Sequence, residues 1–404
     1  MKKWLANFGP GILITAAFIG PGTVTVCTLA GVKFGYSLLW AMLLSILFCI
    51  VLQEMSARLG LVTQKGLSEV IGTLFTNKVL KWLVISLVFI AIFIGNSAYE
   101  AGNISGGVLG LEIWIPDAVL KLGEYKINYL SILIGTLAFL ILFNGNYKVI
   151  EKGLISLVIL MSLCFISTAI LLKPDINTVL VGFVPWYDEE QLFMIVGLIG
   201  TTVVPYNLFL HSSVVKEKWK NVQDISFVRR DTVVAIILGG VVSLAIIICG
   251  AALSGQQVDN ATDLAMSLEP LFGANAKYII ALGLFAAGIT SAITAPLATA
   301  YVVSGCMGWN PNLKDKKFRW VWMIVLLSGI LFSSLSVKPI LIIQFAQVAN
   351  GIVLPLIAGL LLWLMNQKRI LGDYTNSLSQ NILAIVVVCI SLFLGVRSVW
   401  LVFN

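Results

Sequence analysis

Charge is scarce in this chain, and histidine nearly missing. Only 11% of the 404 residues are Asp, Glu, Lys or Arg, and there is one histidine, His211. A lone imidazole builds no multi-histidine metal centre, no nucleophile stands at a workable spacing from a base, and no phosphate loop occurs. Enzymatic catalysis and ATP-driven pumping are therefore disfavoured, and no cofactor is expected. The six cysteines include no CxxC pair, and Cys27, Cys49, Cys164, Cys249, Cys306 and Cys389 all fall in apolar stretches. They read as small apolar fillers, not as disulfides or metal ligands. Pro-rich, Ser-rich and heptad segments are missing as well. The longest hydrophilic stretches, 254–277 and 216–231, are loop sized, which argues for one domain.

What is plentiful is apolar length. Of all residues 59% are hydrophobic and the mean hydropathy is +0.99, as in a polytopic helical membrane protein. Stretches of the length a bilayer demands fall near 9–32, 36–57, 82–106, 128–144, 153–172, 191–213, 232–254, 278–306, 320–336, 340–364 and 382–402, which makes eleven. The net charge of +7 raises nucleic acid as a partner, but the basic residues gather in short loops, where topology explains them. With the amino terminus in the cytoplasm, 19 of the 26 basic residues lie inside. The asymmetry places the carboxyl terminus outside a cell membrane. After Lys2 and Lys3 the first apolar segment lacks a small-residue cleavage site, so it is expected to stay as a span. Trp40, Trp82 and Trp320, near span ends, read as interface anchors.

Two spans are interrupted. Gly20-Pro21-Gly22-Thr23 breaks the first, and Gly197 to Asn207, with Thr201, Thr202 and Pro205, breaks the sixth. Proline removes a donor and clashes with the preceding turn, so peptide groups are left unpaired at mid-membrane depth. Bare backbone survives there only where protein or a watery cavity satisfies it. Proline kinks are common in membrane helices, but matching breaks five spans apart predict two inverted five-helix halves around a transport site. The halves are expected at about 9–172 and 191–364, with an extra helix at about 382–402.

The chain resembles the Nramp family of divalent-metal transporters in Gly9-Pro10-Gly11 with Gly20 to Thr23, in Phe34 to Trp40, in Ser56 to Gly60, in Val203 to Asn207 through His211, and in Gln347 to Pro355. The resemblance implies a LeuT-type fold with eleven transmembrane helices, broken helices one and six, and alternating access. It also exposes a departure. The family pattern has Asp and Asn in the first break and Met and His in the sixth, where this chain has Gly20, Thr23, Val204 and Tyr206. The family's remaining ligands are carbonyls matching Ala17 and Thr201 and an amide matching Gln347. A dehydrated divalent ion needs anionic oxygen or good nitrogen or sulfur donors, so tight Mn²⁺ or Fe²⁺ binding is not expected and no metal ligand is assigned.

The free amides at the start of the outer half-helix would suit an anion. A small organic or zwitterionic solute is accordingly the favoured cargo, with Ala17, Gly20, Thr23, Thr201, Val204, Tyr206, Asn207 and Gln347 around it. A weakly bound or hydrated Mg²⁺ or Mn²⁺ is the alternative, and a transport-incompetent sensor a third reading. For coupling, the resemblance implies an acidic pair on helix three facing a base on helix nine. Here Glu100 is kept, Ser97 takes the earlier position, and no charge lies between Trp320 and Ser336. Glu100 and His211 are the candidates for proton coupling, against neutral structural roles. Thr290, Ser291 and Thr294 are candidates for sodium, although such hydroxyls routinely bond their own helix. Glu54 and Arg58, at i and i+4, read as a salt bridge at the inner mouth.

Overall fold

The computed structural model describes residue 11 and residues 19–75, 77–116, 118–122, 125–144, 148–309, 312–335 and 337–403. Ala17 and most of the first half of span one lie outside the described residues. The principal helices are α1 (Pro21–Phe34), α2 (Leu39–Thr63), α3 (Lys78–Leu111), α4 (Tyr129–Asn144), α5 (Lys148–Leu171), α6 (Leu192–Thr202), α7 (Pro205–Lys218), α8 (Ile225–Ala251), α9 (Ala276–Met307), α10 (Lys316–Ser334), α11 (Pro339–Met365) and α12 (Leu378–Phe403). Among the described residues nine helical stretches are long and apolar enough to cross a bilayer, α6 with α7 counting as one. The 16-residue α4 and the outer half-helix α1 occupy the two remaining expected spans. The protein is thus a multi-pass helical membrane protein.

Local chemistry sets the ends. Asn77 Oδ1 accepts from the Val79 and Leu80 amides at the start of α3, and Asp315 Oδ1 does the same for Lys317 and Phe318 at α10. Such caps satisfy amides that a helix cannot bond internally. Side-chain packing between spans then depends on small residues, because lipid offers no hydrophobic drive between helices. Gly31 of α1 lies on the backbone of α8 at Ile247 to Ala251, and Gly250 of α8 lies on Thr28 of α1. Gly110 and Gly288 join α3 and α9 in the same way.

One amendment to the all-helical expectation is an antiparallel hairpin, Val119–Leu122 with Tyr125–Asn128, between α3 and α4. Its strands are too short to carry a periodicity that stands out beside 16- and 34-residue helices. Five cysteines are buried and unpaired, and Cys389 is exposed on α12.

Candidate functional site: two broken helices

The second break is present at the expected place, the described residues show the outer side of the first, and the helix that follows each has proline at its first helical position. Gly20 caps α1 in an extended conformation with no side-chain hydrogen bond, so the outer half-helix starts at Pro21. α6 ends at Thr202, Val203 and Val204 cross in non-helical geometry, and α7 restarts at Pro205. Proline is tolerated there because the first amides of a helix have no internal partner in any case.

The two interruptions touch. Thr23 Oγ1 lies 2.9 Å from Thr201 Oγ1, across 178 residues of sequence. Gln347 completes the junction: a Cβ on Gly22 would collide with its side-chain amide, and a Cβ on Gly200 with its backbone carbonyl. Side chain and main chain of one residue therefore lie against both broken helices. Glycine at 22 and 200 is what permits that approach.

Most of the side chains collected here are buried, polar and neutral. Thr23, Thr201, Tyr206, Asn207 and Gln347 are all at most 1% exposed. Among the described residues Gln347 Oε1 and both amide atoms of Asn207 have no hydrogen-bond partner, and neither does Nδ2 of Asn350, one turn further along α11. Buried polar groups left unpaired cost about 1–3 kcal/mol each. A cluster of them at one place marks a candidate site. Val204, assigned to the site from sequence, is buried as the cap residue of α7 and offers no polar side-chain atom. Among the described residues no group of three or more His, Cys, Asp or Glu side chains gathers as a metal cluster.

Tyr99 was not anticipated. Built on Gly20, a Cβ would lie 4.0 Å from the Tyr99 hydroxyl and 3.2 Å from Ser291 Oγ. The Tyr99 ring meets Tyr206 edge to face, centroids 5.7 Å apart. The available signal was its place in the polar run Asn96 to Asn103 on an otherwise apolar span. On the side away from the basic loops, a cavity of about 620 Å³ lies between α1, α6 and α11, with Val26, Gly197, Gln344 and Val348 in its wall. Gly197 and Gln344 are each one turn from the residues at the break.

The coupling candidates separate. Glu100 is fully buried, accepts from Asn103 Nδ2 at 3.2 Å through Oε2, and leaves Oε1 without a partner among the described residues. Facing it on α10 is Gly329, whose missing side chain makes room for the Glu100 methylenes. No base opposes it there, as the sequence indicated. His211 is buried and lies against Gln53, with Nδ1 2.8 Å from Oε1. The three sodium candidates are not brought together as a cation shell. Thr290 and Thr294 donate at 2.8 Å to the carbonyls of Ala286 and Thr290 on their own helix, and only Ser291 borders the break. At the basic-loop end, Glu54 holds Arg58 at 3.1 Å and Arg229 at 2.8 Å, and Arg58 also donates to Tyr374 O and Asn376 Oδ1.

Comparison with known proteins identifies the family and the fold. The sequence profile of the Nramp family, described as natural resistance-associated macrophage protein-like, matches residues 11–401. A divalent metal cation transporter MntH of Nostoc sp. is 30% identical, the match covering 99% of this chain and 92% of that protein. MntH of Caldanaerobacter subterraneus is 25% identical over 96% and 91%. Among solved structures, a manganese transporter of Eremococcus coleocola, in complex with an aromatic bis-isothiourea compound, superimposes with TM-score 0.78 at 22% identity, covering 98% of this chain and 86% of that one. Mhp1, a nucleobase-cation-symport-1 transporter in a closed conformation with bromovinylhydantoin bound, gives 0.58 at 13%, covering 98% and 92%. At these identities the structures establish the LeuT-type fold alone.

Proposed function

We propose that this chain, which belongs to the Nramp family, moves a divalent cation across the membrane by alternating access while the ion keeps part of its water shell. Mg²⁺ and Mn²⁺ are the cargoes in view. The observation that carries this reading is the set of neutral oxygen donors at the junction of the two breaks: the Thr23 and Thr201 hydroxyls, the Gln347 amide, and the Tyr99 and Tyr206 phenols. Neutral donors return too little to strip a divalent ion, and Mg²⁺ in particular gives up water reluctantly. They can still hold the ion through the water that remains.

The organic solute favoured from the sequence is set aside. The relatives that match nearly the whole chain are named as metal cation transporters, whereas the likeness to an organic-solute carrier rests on fold. The neutral site now reads as the reason for weak binding, with a dissociation constant on the order of 10⁻⁴–10⁻³ M, where ligand sets of low charge fall. In the same proposal residues 9–172 and 191–364 are the two inverted halves, the amino terminus is cytoplasmic, and Glu100 carries the coupling proton.

The test is uptake into liposomes containing the purified chain. Saturable Mn²⁺ or Mg²⁺ entry is expected, unchanged when sodium is replaced by choline, because Thr290 and Thr294 already satisfy their own helix. Absence of entry by either ion across the millimolar range would overturn the reading. If Mn²⁺ nevertheless raised the melting temperature, the protein would be a sensor. For Glu100→Gln, the expected result is near-normal folding and ion binding, with loss of the acceleration that an inwardly directed proton gradient gives to the wild-type protein. Uptake measured with and without the gradient decides this.

A further inference from the structure

Two side chains on α7 remain after the break is accounted for. Asn207 and His211 are four residues apart, and so one turn apart on one face. Both are 1% exposed. Among the described residues neither amide atom of Asn207 has a hydrogen-bond partner, and Nε2 of His211 has none either. The other imidazole nitrogen is fixed, because Nδ1 lies 2.8 Å from Gln53 Oε1 on α2. An amide oxygen only accepts, so Nδ1 carries the proton and Nε2 keeps its lone pair. Gln53 is itself held in register, since Ser56 donates to the Leu208 carbonyl and Gly60 abuts Ser212.

An amide oxygen and an imidazole lone pair on one buried helical face are two donors without an acceptor of their electrons. We infer that Asn207 Oδ1 and His211 Nε2 form a second cation station between the break and the basic-loop end of the transporter, one that takes a first-row transition ion with water completing its shell. His211 lies about 10 Å along the helix from Val204, at 1.5 Å per residue. The inference rests on the divalent-cation reading above and adds a selectivity to it. The oxygen donors at the break discriminate little between Mg²⁺ and Mn²⁺, whereas imidazole nitrogen suits transition metals far better than Mg²⁺ or Ca²⁺. Gln53 acts as a positioning residue that fixes the tautomer through the ring nitrogen facing away from the metal.

The experiment uses the full chain in lipid nanodiscs with Mn²⁺ alone as probe. Pulsed electron paramagnetic resonance of the wild-type protein is expected to show nitrogen hyperfine coupling to bound Mn²⁺. Titration should find two Mn²⁺ per chain, of which Mg²⁺ displaces one readily. His211→Ala and Asn207→Ala should each bind a single Mn²⁺, and Gln53→Leu should weaken the nitrogen-coupled ion about tenfold. Bound Mn²⁺ without nitrogen coupling in the wild-type protein overturns this station and leaves the transport reading standing, and it needs no variant to fold. No Mn²⁺ bound at millimolar concentration overturns both.

Discussion

Gly20→Asp is expected to tighten Mn²⁺ binding on the order of a hundredfold, since ligand charge is what moves oxygen-donor sites across decades of affinity. The backbone at position 20 is extended, with φ −104° and ψ −173°, a conformation open to any residue. The nearest atom to an added Cβ is Ser291 Oγ at 3.2 Å, a hydroxyl able to donate to the new carboxylate. The position also caps α1, which has no capping side chain in the wild-type protein. Aspartate is a favoured cap, and its charge faces the positive end of the helix. Gly20→Asn separates these effects: it caps equally well and adds no charge, so its affinity should stay near wild type. Calorimetric titration of both variants with Mn²⁺ checks the claim. Equal affinities for the two would show that charge at the break does not limit binding, against the account of a site weak because it is neutral.

The second large effect lies at the basic-loop end. Arg58 is 1% exposed and, among the described residues, Glu54 is its only carboxylate partner at salt-bridge distance, through paired contacts of 3.1 Å. Glu54→Gln leaves a buried guanidinium with only neutral acceptors, Tyr374 O and Asn376 Oδ1. Removing one partner of a buried pair costs about 3–5 kcal/mol, whereas exchanging both for apolar residues of similar volume is often close to neutral. Thermal unfolding in one detergent should therefore show a large loss for Glu54→Gln and a much smaller one for Glu54→Leu with Arg58→Met. Arg229, also on Glu54 at 2.8 Å, has a side chain 44% exposed, so Arg229→Gln should cost under about 1 kcal/mol. A Glu54→Gln protein that melts at the wild-type temperature would show that Arg58 reaches water in solution.

Much of the architecture was legible before any coordinates. Apolar length counts spans, and proline with glycine marks breaks, because both act within a few residues of chain. Those local signals placed the interruptions within Gly20 to Thr23 and Gly197 to Asn207, and the family resemblance added Gln347 to the site with Thr23 and Thr201. They also paired Glu54 with Arg58, one turn apart on the same helix. The organic cargo favoured at the same stage was set aside because the relatives that match nearly the whole chain are named as metal cation transporters.

Sequence by itself thus determined that the chain crosses the bilayer many times, where its helices break, and which family it resembles. The tertiary structure alone decided which faces meet. Spans such as α3 and α7 are apolar or uncharged on nearly every side, so no periodic stripe tells which way a given residue points, and a rotation of one residue's pitch would carry Tyr99 from the break to lipid. That Gly329 opposes Glu100, that Gln53 holds His211, and that Asn207 stays unpaired are consequences of helices meeting across 158 to 229 residues of chain. Contacts at that separation are set by close packing, about which a local pattern carries no information.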